Sequence, residues 1–141
     1  MRILFVFLLT LVGISAIAQD SWKLCLDKKV LPDASSEAEK KNVVTISVAD
    51  LNKTKVFTLT YRESSAQKGW ERTILIYDQK DNKLKKHKKE ESSYQKTSEL
   101  KSPLNQYSTM KIYTINSPTD PKLKARVRIG RVHLCTLILQ E

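Results

Sequence analysis

Short runs in which apolar and polar residues alternate restrict the possible fold of this chain more than any other feature. In Val44–Val48 and Phe57–Tyr61 every second residue is apolar, and the residues between them are Thr or Ser. Trp22–Leu26 has the same pattern, with Cys25 on the polar side. Because successive side chains of a β-strand point to opposite faces of a sheet, this period of two predicts strands with one buried face.

Three further segments, residues 70–77, 110–115 and 125–140, also have the composition of strands. The first and last become apolar on both faces, which is typical of strands in the middle of a sheet. In the last segment Leu134 and Ile138 share one face, whereas the apolar residues before Gly130 have the other parity. This change of phase predicts a β-bulge or a strand break at Gly130-Arg131. Residues 78–83 have the turn composition of a hairpin loop.

The pattern as a whole predicts an all-β protein. About seven to eight short strands with no long helix favour an antiparallel β-sandwich, and a small β-barrel is the alternative. A helical turn is possible only at residues 35–41 and after Pro103, where a long surface loop is equally compatible.

The first residues predict export from the cytoplasm. Arg2 precedes the apolar run Ile3–Ile14, and the small residues Ala16 and Ala18 follow it, which is the pattern of a cleavable signal peptide. The apolar run is shorter than the roughly 20 residues that a membrane-spanning helix requires. We therefore expect residues 1–18 to be a signal peptide and residues 19–141 a single β-sandwich domain. The expected location is secreted, periplasmic or at the cell surface.

The two cysteines, Cys25 and Cys135, stand near the two ends of the expected domain. Because disulfides persist in exported proteins, the sequence predicts a bridge between them. The alternative is two separate buried thiols that pack as small apolar residues.

Positive charge is in excess, with a formal net charge of +10 at pH 7. Such an excess favours anionic partners, for example an acidic polysaccharide or lipopolysaccharide, and a site for them needs several cations on one surface. The alternative is a set of solvated lysines that prevent edge strands from aggregating. Specific nucleic-acid binding is not predicted, because no helical, zinc or aromatic-glycine motif accompanies the charge. The candidate polyanion-binding residues are Lys80, Lys83, Lys85, Lys86, Lys88, Lys89, Lys122, Lys124, Arg126, Arg128 and Arg131, with Arg126 and Arg128 expected to share a strand face.

No motif for catalysis, a metal or a cofactor is recognisable. A Gly-x-Ser-x-Gly elbow and a histidine pair at metal spacing are both missing from the sequence. We interpret His133 as a packed strand residue, and Asp78 and Asp81 as turn residues rather than calcium ligands. The tryptophans and most tyrosines are expected in the core, with Tyr94 and Tyr107 exposed.

Three short strings of the expected domain, together with the export signal that ends at Gln19, resemble small exported proteins of Bacteroidota. The resemblance implies a periplasmic or cell-surface location and no particular activity or site residue. The strings are Gly69-Trp70-Glu71-Arg72, Pro118-Thr119-Asp120-Pro121 and Arg131-Val132-His133-Leu134-Cys135.

Taken together, these features predict an exported, non-catalytic β-sandwich that acts as an interaction module for a protein or a cell-envelope component. Two alternatives come from other functional classes. One is a basic protein that binds a polyanion or glycan, and the other is a small hydrolase whose site has no recognisable motif.

Overall fold

Strands form most of the part of the chain that the computed structural model describes, which comprises residues 20–31, 40–65, 67–88, 93–95, 101 and 104–141. The predicted signal peptide, most of the predicted helical turn at 35–41 and Lys89 lie outside these residues. In chain order the strands are β1 (Ser21–Leu26), β2 (Lys29–Val30), β3 (Val43–Ser47), β4 (Phe57–Arg62), β5 (Trp70–Asp78), β6 (Lys83–Lys88), β7 (Ser93–Gln95), β8 (Thr109–Pro118) and β9 (Arg131–Gln140). Helix α1 (Val48–Lys53) follows β3, and helix α2 (Pro121–Lys124) follows β8.

The strands form two sheets. A four-stranded sheet has the order β2-β1-β4-β7, and a five-stranded sheet has the order β3-β9-β8-β5-β6. Neither sheet closes into a barrel within the described residues, so the prediction of a β-sandwich is confirmed and the barrel alternative is wrong. The positions of β5 and β9 inside their sheet confirm the prediction that these two strands are central. The pair β3–β9 is parallel, whereas the other pairs are antiparallel as expected.

One apolar interior lies between the two sheets, as the alternation predicts. In β1, β3 and β4 every second side chain is buried there and the others turn away, because of the two-residue period of the pleat. The four-stranded sheet contributes Trp22, Leu24, Leu26, Phe57, Leu59 and Tyr61, and the five-stranded sheet contributes chiefly Val44, Ile46, Ile74, Ile76, Met110, Ile112, Leu134, Cys135 and Leu137.

The segment before β9 differs from the prediction. The predicted break at Gly130-Arg131 is confirmed, since β9 begins at Arg131, but residues 125–130 are not a strand. Asp120 caps α2 and Pro121 occupies its first turn, where a missing N–H costs nothing. The backbone N–H groups of residues 124–127 then donate to carbonyls at 120–123, so they are not available to a sheet.

A β-bulge within β9 explains a second difference. Ile112 pairs with Cys135 and Tyr113 with His133, so Leu134 is the extra residue. Leu134, Cys135 and Leu137 therefore all face the interior, and the predicted common face of Leu134 and Ile138 is wrong.

The structure does not contain the predicted disulfide, and Cys25 and Cys135 are both free thiols. The alternation that buries Leu24 and Leu26 turns Cys25 away from the interior, on the outer side of the four-stranded sheet. Cys135 faces the interior from β9 and is 1% exposed, and this burial raises the pKa of its thiol. The two cysteines thus belong to different layers of the sandwich.

The hairpin predicted at residues 78–83 is confirmed as the turn between β5 and β6. The Asp78 carboxylate accepts hydrogen bonds from Asn82 N and Nδ2, each at 2.8 Å, which is the turn role expected for this residue. Residues 104–107 form the helical turn that was one of the two possibilities after Pro103. Of the helices in the described ranges, none has the length and apolar character needed to cross a membrane.

Candidate functional site

The side of the five-stranded sheet that faces away from the interior, here called the outer face, brings together basic and aromatic residues. The strand register arranges these residues in three rows across neighbouring strands. The first row holds Lys83, Tyr77, Lys111 and Thr136, the second Lys86, Leu75, Tyr113 and His133, and the third Thr73, Ile115 and Arg131.

Arg131 is the best-organised cation of the outer face. Its guanidinium carbon lies 4.5 Å from the centroid of the Tyr113 ring and 5.0 Å from that of Tyr77. The two tyrosine rings meet edge to face with centroids 5.4 Å apart, and the rings of His133 and Tyr113 also meet edge to face, with centroids 5.3 Å apart. A guanidinium held by two aromatic rings has less side-chain freedom to lose when it binds an anion than a solvated lysine has.

A carboxylate and a second cation complete this arrangement. Asp81, in the turn between β5 and β6, places Oδ1 3.2 Å from Lys111 Nζ and Oδ2 3.7 Å from Arg131 Nη2. The side chains of Arg131 and Asp81 are 43% and 48% exposed, so solvent or a ligand reaches both groups. Lys111 is less exposed, at 25%.

The surroundings of Arg131 keep it charged. Its partial burial would lower the pKa of the guanidinium, but its interaction with the Tyr77 hydroxyl and the proximity of Tyr113 and Asp81 outweigh this effect. The pKa of Arg131 is consequently raised above an already high value. The outer face therefore presents a permanent positive charge at this point.

The structure brings together only part of the predicted basic set. Lys83 and Lys86 on β6 share the outer face with Arg131, because they pair with Tyr77 and Leu75, and Lys88 pairs with Thr73 in the backbone register. Lys85 pairs with the inward-facing Ile76, and Lys80 lies in the exposed turn before β6.

The remaining predicted cations lie in the connection between β8 and β9. Lys122 and Lys124 are on α2, and Arg126 and Arg128 follow it in a turn and an irregular segment. The prediction that Arg126 and Arg128 share a strand face is therefore wrong, because the turn after α2 keeps this segment out of the sheet. All four side chains are exposed.

Sequence reasoning missed the residues that organise Arg131. Tyr77 and Tyr113 were expected in the core, yet they lie on the outer face, with Tyr113 5% exposed beneath Arg131. The prediction that His133 is packed is confirmed, since it is 6% exposed and its Nε2 lies 2.9 Å from Thr136 Oγ1. The only sequence signal for these residues was the spacing of Lys111 and Tyr113. They are two positions apart, so they lie on the same face of their predicted strand.

A second polar cluster lies at one end of the sandwich and joins the two sheets. The guanidinium of Arg72 on β5 donates to Glu63 Oε1 at 2.6 Å and to Asp20 Oδ2 at 3.3 Å, and it lies 4.3 Å above the ring of Tyr61 on β4. Tyr61 Oη also donates to Asp20 Oδ2, at 2.6 Å. Arg72 is 9% exposed, so this cluster holds the sheets together rather than facing a ligand.

The pKa values within this cluster follow from its contacts. Partial burial would raise the pKa of Asp20, but hydrogen bonds from Tyr61 and Ser64 and the charge of Arg72 outweigh it and lower the pKa. Burial, followed by the hydrogen bond to Asp20, raises the pKa of Tyr61. Asp20 is thus the charged acceptor of the cluster and Tyr61 the neutral donor.

A shallow cavity of about 250 Å³ lies beside α1, and its two carboxylates already have partners. Asp27 accepts hydrogen bonds from the backbone N–H groups of Lys55 and Val56, and Asp50 forms an ion pair with Lys29 at 3.3 Å. The described residues contain no group of three His, Cys, Asp or Glu side chains that would hold a metal ion. The cavity is lined by Leu26, Asp27, Lys28, Lys29, Asp50, Lys53 and Thr54.

Comparisons with known proteins add no relative to these observations. No family model matches the chain, no curated protein is detectably similar to it, and no solved structure matches its fold. Any functional conclusion therefore has to come from the residues themselves.

Proposed function

We propose that this protein is an exported, non-catalytic interaction module whose outer face binds an acidic polysaccharide of the cell envelope. The observation that carries the proposal is Arg131, a charged guanidinium held over two tyrosine rings beside Lys111. A lysine that serves only solubility needs no such support, because a flexible, fully hydrated side chain fulfils that role.

The arrangement of charge on the outer face suits a polymer with repeated anionic groups. Neighbouring strands lie about 4.8 Å apart and alternate residues of one strand roughly 7 Å apart, so Lys83, Lys86, Lys111 and Arg131 form a spread array of cations. A chain of acidic sugars would contact several of them at once, and the combined attraction would exceed that of any single contact.

The outer face suits a protein partner less well. Binding energy in protein interfaces concentrates in exposed apolar and aromatic residues near the centre. The apolar residues at the centre of this face, Leu75 and Tyr113, are only 6% and 5% exposed. Among the described residues its accessible side chains include the cations Lys83, Lys86 and Arg131 and the acidic Glu71 and Asp81, and the exposed apolar Val43 lies at the edge of the face, on β3.

Chromatography tests the proposal on protein recovered from the periplasm after expression of the full chain in a Gram-negative host. Intact mass should show an N-terminus at Gln19, because the pattern of residues 1–18 predicts cleavage after Ala18. The protein should bind immobilised polygalacturonate at low salt and elute steeply as salt screens the attraction. Retention of Met1 would contradict export. Passage through the column at low salt would contradict polysaccharide binding.

Two variants localise the binding to the outer face. Arg131→Gln and Lys111→Gln should each elute at clearly lower salt than the wild type, with unchanged circular dichroism. The matched control is Arg128→Gln, which removes the same charge from an exposed residue outside the sheet. An equal shift in all three variants would show attraction by net charge alone and would contradict a site on the outer face.

A further inference from the structure

The turn between β5 and β6 supplies a carboxylate to the cations of the outer face. Asp81 directs one oxygen to Lys111 and the other to Arg131, so one carboxylate bridges the two cations. A carboxylate of a uronic acid has the same charge and the same pair of oxygens. Asp81 thus occupies the position that the proposed function gives to a carboxylate of the ligand.

The turn does not need the side chain of Asp81 to keep its shape. The backbone N–H of Asp81 donates to Asp78 O, and the carboxylate of Asp78 binds the backbone and side chain of Asn82. Asp78 N also donates to Asn82 O at 3.0 Å. The carboxylate of Asp81 can therefore leave the two cations by side-chain rotation alone, while the backbone stays in place.

We propose that Asp81 is a built-in competitor of the ligand, which occupies Lys111 and Arg131 in the free protein and is displaced when a carboxylated polysaccharide binds. This inference rests on the proposed function. A ligand gains affinity from Lys111 and Arg131 only after it has replaced the contacts of Asp81 with both cations. Asp81 therefore raises the strength of interaction that a ligand needs in order to bind. Neutral glycans cannot make this replacement, so the device favours acidic ligands over uncharged ones.

The variant Asp81→Asn tests the inference with little disturbance of the fold. Asp81 has a φ of 62°, and asparagine accepts this left-handed conformation as readily as aspartate does. The variant should bind an oligogalacturonate about two- to fivefold more tightly than the wild type, which is the affinity gained by removing a competing exposed ion pair. Isothermal titration calorimetry at fixed salt measures this ratio.

The matched control is Asp50→Asn, which removes one negative charge from an exposed ion pair with Lys29 beside α1. It should raise the affinity less than Asp81→Asn does, because it changes only the net charge. Equal affinities of Asp81→Asn and the wild type, or an equal gain in both variants, would overturn the competitor role.

The outcomes separate this inference from the function on which it rests. In one outcome the wild type binds, Arg131→Gln weakens the binding, and Asp81→Asn leaves the affinity unchanged. The outer face is then the binding site, but Asp81 is not a competitor. If neither the wild type nor Asp81→Asn binds the oligogalacturonate, the proposed function and the inference both fail.

Discussion

At the scale of single residues, the arginines Arg72 and Arg131 illustrate how the same side chain serves two purposes. Both lie over tyrosine rings and both meet carboxylates. Arg72, with 8% of its side chain exposed, forms ion pairs with Asp20 and Glu63, whereas the 43% exposed Arg131 lies 3.7 Å from the carboxylate of Asp81. Burial and pairing make Arg72 a structural residue, and exposure makes Arg131 available to a ligand.

The variant Asp20→Asn should reveal how much the Arg72 cluster contributes to the free energy of unfolding, because this contribution depends on pH. Asp20 has a lowered pKa in the folded protein, so its contribution to stability is fully present above its ordinary pKa of about 3.8 and is lost as pH falls through the lowered pKa of the folded state. Urea denaturation should show a loss of about 1–3 kcal/mol in unfolding free energy at pH 7, since a hydrogen-bonded charge is removed.

The difference between the wild type and Asp20→Asn should narrow at pH 3. In the control Asp50→Asn, which breaks an exposed ion pair, the loss should stay below about 1 kcal/mol. A difference between the wild type and Asp20→Asn that is as large at pH 3 as at pH 7 would show that the charge of Asp20 is not what stabilises the cluster.

At the scale of elements, alternation predicts local strands well and their partners poorly. Trp22–Leu26, Phe57–Tyr61 and all but the last residue of Val44–Val48 are strands as predicted, because adjacent residues alone determine the two-residue period; Val48 instead begins α1. The parallel pairing of β3 with β9 joins residues about ninety positions apart, and no turn in between specifies it. The outer face depends on the order β9-β8-β5-β6, so the contact of Arg131 with Tyr77 and Tyr113 was not predictable from separate segments.

The orientation of β1 and β9 explains why the disulfide prediction failed and yields a test. Cys25 is partly exposed on the outer side of one sheet, whereas Cys135 is buried and has a raised pKa. Because the thiolate is the reactive form, a thiol reagent should modify Cys25 rapidly in the native protein and Cys135 only after unfolding. Mass spectrometry should count one label in the native protein and two in denaturant, without prior reduction.

The variant Cys25→Ser is the control for this experiment and should lose the single label of the native protein. If the denatured wild type takes up no label until it is reduced, the two cysteines are bridged and the described orientation of β1 or β9 is wrong.

At the scale of the whole molecule, the proposed function gives the two sheets different roles. Both bury apolar side chains in a common interior, and the Arg72 cluster joins them at one end. The five-stranded sheet additionally presents Arg131 and Lys111 on its outer face, supported by tyrosines. The sequence indicated that positive charge is in excess, but only the fold determines which cations share a surface.

The outer face of the five-stranded sheet is the proposed binding surface. A nuclear magnetic resonance titration of the ¹⁵N-labelled protein with an oligogalacturonate tests it most directly, because backbone amide shifts report which sheet the ligand contacts. The largest shifts are expected at Tyr77, Asp81, Lys111, Tyr113 and Arg131, and they should be suppressed at high salt. Shifts confined to the four-stranded sheet or to residues 121–128, or no shifts at all, would contradict it.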